Sequence, residues 1–149
     1  MPVLDIAPLA PADRRGWEAL ARGYKHFYGA ATTDAEYDRA WQRLLDQDGV
    51  FGLGARVDGQ LVGIAHYLFH TGVWTPSICY LQDLFTLPTA RGKGVARALI
   101  DAVAQAAEQQ GASRFYWLTQ EQNTGARILY DKIASNRGFV RYDYPLTSV

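Results

Sequence analysis

One stretch limits the possible folds more than any other: Tyr80-Leu-Gln-Asp-Leu-Phe-Thr-Leu-Pro-Thr-Ala-Arg-Gly-Lys-Gly-Val-Ala96. Its first half reads as an apolar strand. Pro88 turns it, and Arg91-Gly92-Lys93-Gly94-Val95-Ala96 leads into a helix. Glycines at such a junction leave backbone N–H groups uncovered where the helix macrodipole is positive, which suits an anion and most often a phosphate. The bland alternative is that they only keep the turn tight. The strand holds a second anomaly, Gln82-Asp83 inside a run that otherwise reads as core. A carboxylate there is costly unless it is paired or faces an open site.

The rest of the chain frames this stretch. Val3 to Ile6 suggest a first edge strand, and the period of Trp17, Leu20, Ala21, Tyr24 and Phe27-Tyr28 predicts a helix from Ala12-Asp13. Thr33-Asp34-Ala35-Glu36 is a capping box opening a second helix through Trp41 and Leu45. Asp58-Gly59 predicts a two-residue hairpin turn between strands at Val50–Val57 and Gln60–His70. The central strand follows as Ile78–Thr86. A helix is expected from Ala90 or Arg91 to about Gln110, and then a short strand at Phe115–Thr119. Asn123 or Thr124 should cap a last helix, with a final strand at Phe139–Tyr144. This order predicts a single domain over residues 1–149, of α+β class with a mixed, mostly antiparallel sheet.

Composition narrows the function classes. Fifteen basic and fifteen acidic residues cancel, which argues against nucleic acid or an anionic membrane as the main partner. No apolar run approaches the roughly 18 residues of a membrane span, and no secretory signal is visible at the start. A single Cys79 fits a reducing, cytoplasmic setting and reads as a small core residue. The dinucleotide motif fails because Arg97 stands where its third Gly belongs, and the P-loop fails because Gly94 follows Gly92-Lys93. No carboxylate arrangement suggests a Mg²⁺ site, and His66 and His70 lack a third ligand, so no metal is expected.

Arg91-x-x-Gly94-x-Ala96, after a strand and opening an amphipathic helix, resembles the acetyl-CoA signature of the GNAT N-acetyltransferases. A second block, Asn123-x-x-Ala126-x-x-Leu129-Tyr130 with Gly138-Phe139, matches in order and spacing, so the likeness covers about residues 50–144. It is greatest to the small diamine-, amino-acid- and histone-acetylating enzymes. The resemblance implies acetyl-CoA as co-substrate and transfer to a small-molecule primary amine through a ternary complex. Backbone N–H groups of Arg91, Gly92, Lys93, Gly94, Val95 and Ala96 would hold the pyrophosphate. Leu84, Phe85 and Thr86 would pair with the pantetheine arm, and a bulge near Asp83-Leu84 would expose the Leu84 N–H as an oxyanion donor. Asn123 would bind pantetheine, and Tyr130 would protonate the leaving thiolate. Asp83 would bind or deprotonate the amine, with Gln82, Tyr28 and Tyr80 on the substrate side. The diamine enzymes carry Glu where this chain has Gln82, and an amide cannot take a proton. Tyr24, His26, Tyr28, Trp41 and Trp74 could line an aromatic pocket or belong to the core. A homodimer is also implied, because the last strand often crosses to a partner. The competing readings are a protein lysine or N-terminal acetyltransferase and a non-catalytic acyl-CoA sensor.

Overall fold

The computed structural model describes residues 3–147, and the chain divides after Leu118 into two compact units. The first contains β1 (Leu4–Pro8), α1 (Arg14–Phe27), α2 (Asp34–Asp46), β2 (Phe51–Val57), β3 (Gln60–His70), β4 (Ile78–Thr86), α3 (Val95–Gln109) and β5 (Phe115–Trp117). The strands form one sheet in sequence order. The pairs from β1 to β4 are antiparallel, whereas β5 runs parallel to β4 after the α3 crossover. This is the expected α+β class.

Local chemistry sets the element ends. Asp58 and Gly59 take φ of 51° and 83°, so Val57 can pair with Gln60 across a two-residue turn. The Glu36 N–H donates to Thr33 Oγ1 at 3.2 Å, fixing the start of α2. Gly111, at φ 68°, ends α3, and the Ala112 N–H then closes onto the Ala107 carbonyl at 3.0 Å.

The two faces of the sheet bury different helices. On one, Trp17, Leu20 and Ala21 of α1 pack with Tyr37, Trp41 and Leu44 of α2 and Ile64 of β3. Trp17 is 1% exposed, and its ring lies 5.0 Å from that of Trp41. Trp41 is therefore core and not pocket lining, whereas Trp74, at 95% exposure, packs into nothing. The partly buried pair of Asp13 and Arg56 ties the entry of α1 to β2. On the other face α3 buries Val95, Leu99, Ile100, Val103 and Ala107. It sits so near β3 that a Cβ on Gly63 would lie 2.8 Å from Val95 Cγ1.

Two expectations change. The helix after the glycine turn begins at Val95 and not at Ala90 or Arg91. Pro88–Ala90 is a separate 3₁₀ turn, and Gly92 and Gly94 take φ of 77° and 80°, which no α-helix accommodates. In the second unit α4 spans Thr124–Ile133, but no strand forms at 139–144. A strand exists only by pairing its backbone groups. Among the described residues this unit holds no other strand, and Phe139, Tyr142 and Tyr144 are each at least 85% exposed.

Gly63→Val should destabilise the protein by about 1–3 kcal/mol, because the added atoms meet Val95 and Leu99 head-on. Urea unfolding monitored by tryptophan fluorescence measures the loss.

Candidate active site

The site is built around an irregularity in β4. From His70↔Ile78 to Tyr67↔Leu81 the β3–β4 register is regular. The next pair is His66↔Asp83, so Gln82 is an extra residue on β4. Such a bulge reverses which way the following amides point. Before it, the Cys79 N–H donates toward β5, to the Arg114 carbonyl at 2.8 Å. After it, the Leu87 N–H donates toward β3, to the Val62 carbonyl at 2.8 Å. Antiparallel alternation between these anchors turns the N–H groups of Leu84 and Thr86 away from β3. The β5 pairing covers only Cys79, Tyr80 and Leu81, so in this unit no strand meets the β4 edge beyond them.

The same bulge places Asp83 opposite His66 on the face covered by α1. Asp83 Oδ2 lies 2.9 Å from His66 Nδ1, and the Trp17 indole N–H donates to His66 Nε2 at 2.9 Å. The Tyr24 side chain lies close enough to Asp83 for each to shift the other's pKa. Burial pushes the Asp83 carboxyl upward, but its hydrogen bond and electrostatic interaction with His66, then Tyr24 and the nearby Lys25 charge, outweigh it and hold the group below its ordinary value. Tyr24 is pushed the other way, by burial first and then by the Asp83 charge, and stays a phenol. Burial and the same carboxylate also raise Tyr28.

A cleft of about 560 Å³ opens beside this cluster, lined at one end by Tyr24, His66, Gln82 and Asp83, with Lys25, Glu36, Arg39 and Arg43 also on its walls. Its volume is that of a small-molecule site. Among the described residues Lys25, Arg39 and Arg43 enter no ion pair, whereas the acidic Glu36 is engaged by Thr33. Farther along β4, Arg91 stacks over the Phe85 ring at 5.8 Å. Ideal Cβ atoms on Gly92 and Gly94 would meet nothing within 4 Å, so the turn presents bare backbone to open space. Beyond it, the Ala98 N–H bonds to the Gly94 carbonyl at 3.0 Å, and the three amides before Ala98 are those a helix leaves without internal partners. Val95 contributes only backbone, its side chain being core.

The structure thus brings Asp83, Gln82, Tyr28 and the Leu84 amide into one region. Tyr80 is instead stacked on Tyr116, with centroids 4.9 Å apart. Asn123 and Tyr130 belong to α4 of the second unit, seven residues apart and so on one helical face. The Asn123 side chain does not cap α4; its Nδ2 donates to Thr119 Oγ1 at 3.0 Å. His66, which the sequence presents as a core or rim histidine, is the residue that spacing alone misses. Regular pairing outward from the β3–β4 loop would set it opposite Gln82, and only the bulge gives it Asp83.

The model of the acetyltransferase (GNAT) family matches residues 17–134. The D-amino-acid N-acetyltransferase of Saccharomyces cerevisiae is 30% identical over 142 residues, covering 92% of this chain and 88% of that protein. Among solved structures, a ribosomal-protein-alanine N-acetyltransferase from Brucella melitensis biovar Abortus has a TM-score of 0.81 at 27% identity, over 97% of this chain and 100% of that one. An aminoglycoside N-acetyltransferase in complex with CoA has a TM-score of 0.85, covering 100% of this chain and 97% of that one; its 19% identity speaks for the fold alone.

A depressed carboxyl stabilises the fold fully above its unfolded pKa, about 3.9, and that contribution is lost as pH falls through the lower folded value. Asp83→Asn lacks this titration. Between pH 6.5 and pH 3 it should therefore lose less unfolding free energy than the unaltered protein, as urea midpoints at the two pH values will show.

Proposed function

The chain belongs to the GNAT acetyltransferase family and is an N-acetyltransferase, and on that premise we propose that it transfers the acetyl group of acetyl-CoA to the primary amine of a small molecule, by direct attack in a ternary complex. The observation that carries this reading is the β4 bulge, which turns amides to an unpaired edge running straight into a bare glycine turn. Edge and turn fit an extended pantetheine arm ending in a pyrophosphate.

Acetyl-CoA supplies the thioester whose acyl carbon the amine attacks. The turn from Arg91 to Ala96 holds the pyrophosphate with backbone N–H groups. Leu84 to Thr86 offer edge amides to the pantetheine, and the Leu84 N–H donates to the carbonyl oxygen as negative charge develops there. Asn123 adds a hydrogen bond to the pantetheine arm, and the Tyr130 hydroxyl gives its proton to the departing thiolate. Asp83 binds the acceptor's ammonium beside Gln82 and Tyr28. The cations Lys25, Arg39 and Arg43 favour an acceptor that also carries an anionic group, as an amino acid does, over a polyamine. That the yeast relative acts on D-amino acids agrees with this choice. The ribosomal-protein-alanine relative favours a second reading, a protein N-terminus as acceptor.

We take residues 1–149 as one acetyltransferase domain, since the family match runs through both units. A cytoplasmic homodimer suits the exposed row of Phe139, Val140, Tyr142 and Tyr144, which a second copy would cover. The zero net charge supports neither nucleic acid nor a membrane surface as partner. Among the described residues no helix is long and apolar enough to cross a membrane.

Thiol release from acetyl-CoA, measured across amino acids, polyamines, aminoglycosides and N-terminal peptides, tests the reading. Amino acids should give the highest kcat/KM, and preference for peptides would establish the protein-directed alternative. Tyr130→Phe should lower kcat by about 10²-fold or more. Gly94→Glu should abolish acetyl-CoA binding in calorimetry with an unchanged far-ultraviolet spectrum; retained binding would remove the pyrophosphate assignment.

A further inference from the structure

We propose that His66 is a positioning residue which, fixed by Trp17, keeps Asp83 an ammonium holder and prevents it from serving as the base. The inference rests on the reading that Asp83 meets the acceptor amine. It begins with the donor inventory: an indole N–H can only donate, so His66 Nε2 must be the accepting nitrogen at 2.9 Å from Trp17. The imidazole proton then sits on Nδ1 and points at Asp83 Oδ2, 2.9 Å away. Protonating Nε2 as well would set two N–H donors against each other. Trp17 cannot turn aside, being 1% exposed and wedged between Trp41 and Tyr37. Rotation of the His66 ring is blocked from the same side.

Asp83 therefore accepts a hydrogen bond from the neutral His66 Nδ1–H, with the Tyr24 side chain beside it. The titratable and charged groups facing it are His66 from β3 and Tyr24, Lys25 and Tyr28 from α1, with Tyr80 of β4 next to Tyr24. From α2, Glu36, Arg39 and Arg43 line the same cleft, and Lys25 favours the Asp83 charge. A carboxylate so supplied keeps its charge while it holds the ammonium, and its low proton affinity makes it a poor acceptor. The ammonium proton passes to water in the open cleft before the amine attacks. Gln82, unable to accept a proton, adds no competing base.

The test titrates the Asp83 carboxyl by ¹³C NMR in the unaltered chain, in His66→Leu and in His66→Asn, whose amide nitrogen can replace Nδ1–H. The Asp83 midpoint should rise by about one pH unit or more in His66→Leu and return toward its original value in His66→Asn. At pH 6, kcat/KM for the amine should fall in His66→Leu, because the carboxylate loses the donor that orients it, and recover in His66→Asn, with the KM for acetyl-CoA unchanged. Imidazole ¹⁵N shifts of the unaltered chain at neutral pH should show Nδ1 protonated and Nε2 accepting. A midpoint that does not move, or a proton found on Nε2, overturns the proposal. The ¹⁵N measurement decides even if His66→Leu fails to fold. If the midpoint moves as expected while no amine releases thiol from the unaltered protein, the acetyl-transfer reading fails and the Asp83–His66 assignment stands.

Discussion

A single extra residue in β4 sets the direction of every functional group that follows it. Without Gln82 in the register, His66 would face an amide, the Asp83 side chain would turn toward α3, and the Leu84 N–H would be used up in the β3 ladder. With it, the strand changes phase once. Beyond the bulge the side chains of Asp83 and Phe85 meet α1, and the N–H groups of Leu84 and Thr86 turn away from β3. Bulges interrupt pairing and so weaken a sheet locally. Here the interruption coincides with the end of β5, where β4 has already lost a neighbour. One local defect thus exposes both a carboxylate and a row of amides, one on each side of the place where an acyl group and an amine would have to meet.

Holding Asp83 at that position depends on α1. Trp17 anchors the packing of α1 on α2 and β3 through its ring, and fixes the His66 tautomer through its N–H. The apolar core and the polar site therefore share a side chain. Loosening the α1–α2 layer would free His66 before it exposed much core, because a hydrogen bond weakens steeply with angle while dispersion contacts fade gradually. The ion pairs of Arg14 with Asp38 and of Arg22 with Asp34 also join the two helices, but they are largely exposed and contribute little. Aromatic packing, and not surface charge, keeps the site in order.

Much of this was legible in the residues, for identifiable reasons. The strand, glycine turn and helix around Arg91–Ala96 announce themselves because positive φ and a helix N-terminus are local properties. The Thr33 cap and the Asp58-Gly59 turn are legible on the same grounds. Asp83 stood out as a charge in a core-like run. Its partners did not, since His66 is seventeen residues away and a period-2 register assigns it to Gln82. Trp17 scores as an apolar residue at helical spacing, which hides its N–H. The expected helix start falls too early because Arg91 to Gly94 carry no apolar stripe to mark the boundary, and the positive φ of Gly92 and Gly94 delays the helix to Val95. The missing strand at 139–144 fails for a complementary reason: its alternation is real, but pairing is a property of two segments and no periodicity in one of them supplies the other.

The energetics of Asp83 explain why such a site is tolerated in a core face. Desolvating a carboxylate works against folding, yet a hydrogen bond to a charged group contributes on the order of 1.5–3 kcal/mol, and Asp83 receives one from the His66 Nδ1–H. That bond, together with Tyr24 and the Lys25 charge nearby, offsets the partial burial. The balance is conditional. Removing the His66 donor leaves the burial in place and takes away the main group that compensates it. A charge held this way is strong enough to attract an ammonium from solvent and too well satisfied to keep a proton. Those are the two properties required of a group that must present an amine and then let it react.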